Sequence, residues 1–237
     1  MNRIILAALA SAAMTAVPAS AAERNFGVSG FDRVRVDGGY RVTLTTGVAP
    51  YAKAIGSGRA IDKLSLRVEG RTLVIKVNNS SGWGGYPGEG DGPVEVRVGT
   101  HELSAATVNG GGAMTINRVE GLKFDAAAQG AGSIAIDDVE VDQFNLSLAG
   151  TASARLAGKA GRATLMVRGI SSLDAEQFTV KDAVIGAEGP AVVKVAATDT
   201  AKVNAVGVGT VTLGGNPACT LSVQGSATVS GCKSQAR

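Results

Sequence analysis

Glycine recurs at near-constant spacing along the second half of the chain, at Gly110, Gly130, Gly150, Gly169, Gly189, Gly207 and Gly225, with intervals of 18 to 20 residues. A unit of about 20 residues is too short to bury an apolar face by itself, so successive units must stack and share one interior. Four residues before the markers stand Ala106, Ala126, Leu146, Leu165, Ile185, Val203 and Leu221; four residues after them stand Met114, Ile134, Ala154, Leu173, Val193, Val211 and Val229. Further apolar positions lie two before and six after, so each unit holds two alternating runs joined at its glycine. The pattern predicts an all-β parallel β-helix or β-solenoid with coils of about 20 residues and no helical stretch. The marker glycines sit at corners that need positive φ or close backbone approach. Antiparallel hairpins packed as a sandwich share the period of two and stand as the alternative; the constant length of the whole unit favours the solenoid.

Ahead of the first marker the pattern changes. Val34–Val36, Arg41–Leu44, Leu64–Val68 and Thr72–Val77 alternate in the manner of half-buried strands, and Asp37–Gly38 is a hairpin signal between the first two. These strands are expected to cap or continue the stack. The expected division is residues 1–22 as a signal peptide, 23–102 as an N-terminal β portion, 103–232 as the repetitive solenoid and 233–237 as a tail. Residues 78–93 carry Ser80-Ser81-Gly82-Trp83-Gly84-Gly85-Tyr86-Pro87-Gly88, which reads as a loop. In a chain with five Phe, three Tyr and one Trp, Trp83 and Tyr86 are candidates for a binding platform, or for aromatics folded back over the end of the core.

The chain opens with Met-Asn-Arg, an apolar run from Ile4 to Val17, Pro18 and Ala19-Ser20-Ala21-Ala22. That order of basic, apolar and small residues is a secretory signal, with cleavage expected after Ala21 or Ala22. An uncleaved anchor is the alternative, although the run is short for a membrane span. No integral membrane insertion is expected after cleavage, and the location is most simply periplasmic, or else extracellular. With 23 Lys and Arg against 20 Asp and Glu, the surplus is too small to imply nucleic acid as a partner. In an exported chain Cys219 and Cys232 can pair and close the last coil, which adds about 2–4 kcal/mol of stability. Metal binding is the alternative, but two thiols with no nearby histidine make a poor zinc set.

Catalytic groupings are sparse. His101, the single histidine, neighbours Glu102, but adjacent residues on a strand face opposite sides and do not form a dyad. Asp125, Asp137 and Asp138 could serve a glycan-acting enzyme if coils brought two carboxylates across a cleft; adjacent acids at a corner are more simply a solvated turn. Recurring aspartates for calcium, a phosphate loop, a dinucleotide fingerprint and HExxH are all missing from the sequence. No catalytic residue, metal site or cofactor is therefore expected.

The order Phe31-Asp32-Arg33-Val34-Arg35-Val36, Gly56, Leu64–Val68, Leu73-Val74-Ile75, Pro93–Val98, Gly110-Gly111-Gly112 and Gly130-Ala131-Gly132-Ser133 resembles the bacterial DUF2807 family, an auto-transporter adhesin head or GIN domain. The resemblance runs from about Phe26 to Gly225. It implies an exported β-helical domain, and it brings no catalytic residues with it. A long C-terminal membrane barrel is not part of this sequence, which departs from autotransport. The expectation is a noncatalytic binding or scaffold protein of the cell envelope, adhesin-like, whose partner is an envelope polysaccharide or protein.

Overall fold

The computed structural model describes residues 22–78 and 92–233. It opens with β1 (Ala22–Phe26), β2 (Arg33–Asp37), β3 (Arg41–Thr46) and β4 (Tyr51–Gly56), followed by the one-turn helix α1 (Gly58–Asp62). Next come β5 (Leu64–Glu69), β6 (Thr72–Val77), β7 (Glu95–Thr100), β8 (Ala105–Gly110) and β9 (Ala113–Ile116). Five long bent strands carry the repeat: β10 (Val119–Gly130), β11 (Ser133–Gly150), β12 (Ser153–Gly169), β13 (Ser172–Glu188) and β14 (Val192–Gly207). The chain ends in β15 (Thr210–Gly214), β16 (Ala218–Gly225) and β17 (Thr228–Ser230), and these 17 strands join one sheet. The helix lies ahead of the repeat and is short, and Ser57 caps it by accepting from the Ala60 amide at 3.2 Å.

From β8 onward the coils stack in parallel, in register around the marker glycines with local register shifts within β11–β14, which is the expected solenoid. Ala126, Leu146, Leu165, Ile185 and Val203 are successive partners, and all are buried. Burying such columns against one another is the main favourable term for the fold. Among the largest buried side chains are three phenylalanines. The Phe124 and Phe144 rings stack with centroids 6.0 Å apart, and Phe178 tilts against Phe144 at 5.1 Å. Phe178 reaches this stack from another column: the coil below it supplies only Gly158 and Ala163 at the two relevant positions, leaving room for one ring.

All seven marker glycines have positive φ, from 78° at Gly169 to 109° at Gly207. Gly150 shows why the side chain is missing. A Cβ there would stand 2.8 Å from the carbonyl oxygen of Gly130, one coil below, on a backbone with φ of 92°.

The N-terminal strands differ from the expected hairpin. β2 and β3 do not pair with each other. β2 runs parallel between β6 and β8, while β3 runs parallel between β7 and β9. Together they form one more coil, inserted between the β6–β7 coil and the β8–β9 coil. Gly38 has φ of 123° and turns the corner, its amide donating to the Asn109 carbonyl at 2.9 Å. An Asp-Gly pair supplies the positive-φ turn that a hairpin and a solenoid corner both require, so it does not determine which strands become partners. Antiparallel strands then seal this end: β4 on β7, β1 on β4 and β5 on β6, the last through a turn at Gly70 with φ of 63°. The segment thus both continues the stack and caps it. At the other end a Cys219–Cys232 disulfide, with Cα atoms 5.7 Å apart, closes the terminal coil.

Gly150→Ala is expected to cost about 1–3 kcal/mol, because the strained φ cannot relax against backbone below it. Gly111 lies one residue beyond a marker, and a Cβ added there would meet nothing within 4 Å. Gly111→Ala is therefore expected to change stability by no more than about 0.5 kcal/mol. Urea unfolding of the two variants distinguishes a corner constraint from a general intolerance of side chains; equal losses would contradict the corner account.

Candidate interaction surface

Because strand residues alternate, each coil presents a fixed set of outward columns. Ser133, Ser153 and Ser172 are successive partners, followed by Val192, Thr210 and Thr228. The last two hydroxyls are hydrogen-bonded at 3.3 Å. This is an outward ladder of small residues, and its hydroxyls have no histidine beside them.

A second surface holds charges in pairs across coils. Arg118 Nε lies 2.6 Å from Glu120 and 3.2 Å from Asp138, its Nη2 lies 2.9 Å from Glu140, and Lys159 reaches Glu140 at 2.8 Å. The hydrogen bond from Lys159, and then that from Arg118, hold the Glu140 carboxyl below its ordinary range. In turn, the bond to Glu140 raises Arg118 and Lys159. These groups stabilise one another's charged forms, the reverse of what a neutral general acid requires.

The acids considered for glycan chemistry are drawn into separate contacts. Asp125 pairs with Lys123 at 3.1 Å and accepts from Asn145 at 2.8 Å. Asp138 belongs to the Arg118 cluster, while Asp137 lines a different groove with Arg155, Asp174 and Glu176. His101 and Glu102 are both exposed and line a groove of about 530 Å³ with Arg118 and Glu120. Among the described residues no group of three or more His, Cys, Asp or Glu is placed to hold a metal ion.

A third surface was not anticipated from the sequence. The residue after each marker glycine is exposed, and in three consecutive coils it is Ile170, Pro190 and Val208. Ile170 is 68% and Val208 64% exposed, Pro190 is exposed between them, and Val192 adds a further exposed apolar side chain. In the coil paired with β2 and β3, β6 ends at Val77 and β7 begins at Glu95. Trp83 and Tyr86 fall between these strands in the sequence and lie outside the described residues. Reading the sequence by strand alternation missed the ridge because it lies between strands; aligning the residue after each marker would have revealed it.

The family "Putative auto-transporter adhesin, head GIN domain", DUF2807, matches residues 30–217, most of the chain. The chain belongs to this family. Solved structures share its fold. A "putative adhesin" from Bacteroides fragilis has a TM-score of 0.77 at 17% identity, with 89% of this chain and 96% of that one covered. A "putative lipid binding protein" from Parabacteroides distasonis has a TM-score of 0.71 at 20% identity, covering 90% and 96%. A "putative adhesin" from Parabacteroides merdae has a TM-score of 0.68 at 16% identity, also covering 90% and 96%. No curated protein matches the chain. As a GIN domain it is adhesin-like and extracytoplasmic, and among its described residues no helix is long and apolar enough to cross a membrane.

The Glu140 contacts give the head domain a defined pH response. A carboxyl whose folded pKa lies below its unfolded value contributes stability above the unfolded value and loses it as pH falls through the folded one. Wild type is therefore expected to melt above Glu140→Gln at about pH 7, with the difference shrinking as pH falls below the ordinary carboxylate range. A difference independent of pH would mean that the Arg118 and Lys159 contacts contribute nothing.

Proposed function

We propose that this GIN domain is a noncatalytic binding head of the bacterial cell envelope. It engages an envelope polysaccharide or protein along the corner that carries Ile170, Pro190 and Val208, with Trp83 and Tyr86 as further candidate contacts. The observation that carries this reading is the exposed apolar ridge on a stack whose charged groups are paired across coils, as at Arg118, Glu140 and Lys159. A protein that keeps branched apolar side chains in water at corresponding positions of neighbouring coils presents a contact surface. Stacked coils supply rigid, evenly spaced positions for an extended partner. Export through residues 1–22 supports the envelope setting, with the periplasm as the location and release as the alternative.

The test is a binding screen of the purified exported protein against peptidoglycan, envelope polysaccharides and envelope proteins. Saturable binding is expected, weakened at least about tenfold by Trp83→Ala with Tyr86→Ala and by Ile170→Ser with Val208→Ser. Absence of saturable binding, or affinity unchanged from wild type in both double variants, contradicts the proposal.

A further inference from the structure

The two ends of the stack are finished differently. At the N-terminal end β1, β4 and β5 run antiparallel over the first coil, and the outer strand β1 carries Glu23 and Arg24. Charged side chains on an outer strand discourage further pairing. At the C-terminal end β16 pairs with β14 and β17 with β15, and among the described residues no further strand covers their outer edges. Leu221 and Val223 continue the interior columns of Val203 and Ala205, which are 1% and 0% exposed, yet they are themselves 47% and 44% exposed. From Val203 to Cys232 the sequence contains no Asp, Glu, Lys or Arg. An open edge in a charge-free coil lacks the usual protection against pairing.

We infer that this end is an interface between two copies of the chain, joined tail to tail by antiparallel pairing of β16 with β16. A two-fold axis centred on Ser222 sets Leu221 of each copy opposite Val223 of the other, covering the interior residues that the last coil exposes. Charge selects this occupant. In a two-fold contact each central side chain faces its own kind, so a charged edge would repel itself, whereas the neutral one does not. Closure follows from the other end: with β1, β4 and β5 covering the first coil, head-to-tail growth is blocked and the assembly stops at two. The Cys219–Cys232 bond ties the start of β16 to the end of the same coil and holds the edge in shape before association.

Sedimentation equilibrium of the full chain, purified after export, tests the arrangement. Wild type is expected to be a dimer at about 10 µM, a concentration above the dissociation constant of an interface of ordinary size. Ser222 is exposed and points away from the interior column, so Ser222→Lys and Ser222→Glu leave the fold intact by circular dichroism. Each alone is expected to raise the dimer dissociation constant at least about tenfold, because like charges then face each other. An equimolar mixture of the two restores the dimer. A wild-type monomer up to about 100 µM, growth beyond a dimer, or a dimer insensitive to either substitution overturns the inference.

Discussion

At each of three corners along the stack the amide that follows a marker glycine donates to the carbonyl of the glycine one coil below: Ala131 to Gly110 at 3.0 Å, Thr151 to Gly130 at 2.8 Å and Ser226 to Gly207 at 2.8 Å. A parallel coil cannot turn without exposing amides and carbonyls, and those buried at its corners need partners. This contact supplies them, and it does so only when one backbone rests directly on another. The bond that satisfies the corner is therefore also what excludes a side chain there. It fixes each coil over its neighbour, and the apolar columns and outward ladders are aligned as a consequence.

The repeat was legible because the constraint recurs: each coil needs its own glycine and the same inward positions around it. The coil formed by β2 and β3 was harder to read, since it stacks out of chain order, between strands that follow it in the sequence. Its local signal, Asp37–Gly38, encodes a turn and leaves the partners open. Tyr40 obscured the likeness further. It takes the second position after the corner glycine, where later coils have Gly112, Gly132, Ala152 and Ala191, and it is buried there at 5% exposure. Gly112 shows why that position stays small: an added Cβ would lie 2.7 Å from the carbonyl oxygen of Gly38. The disulfide was legible from two cysteines in one coil. The apolar ridge was not, because a search by strand period passes over corner residues.

The same geometry divides the surface by chemistry. Where successive coils place opposite charges next to one another, as at Arg118, Glu140 and Lys159, the charges neutralise across the stack. Where they place hydroxyls, the result is a ladder of similar groups. At the corner tip the side chain is not part of a packed column, and Ile170, Pro190 and Val208 stand exposed. A binding role rests on this third kind of position. The interior imposes packing requirements on neighbouring residues, whereas the corner tip can change without disturbing the coil beneath.

The central claim is that β2 belongs to a parallel stack and lies on β8, with Arg35 beside Thr107. Neighbouring residues on paired strands are separated by about 5 Å, within the range a disulfide spans. The direct measurement is peptide mapping of the Arg35→Cys, Thr107→Cys double variant after mild oxidation. The account predicts an intramolecular bond between positions 35 and 107, with Cys219–Cys232 retained. Free thiols at both positions in a folded protein that keeps its native bond would contradict it.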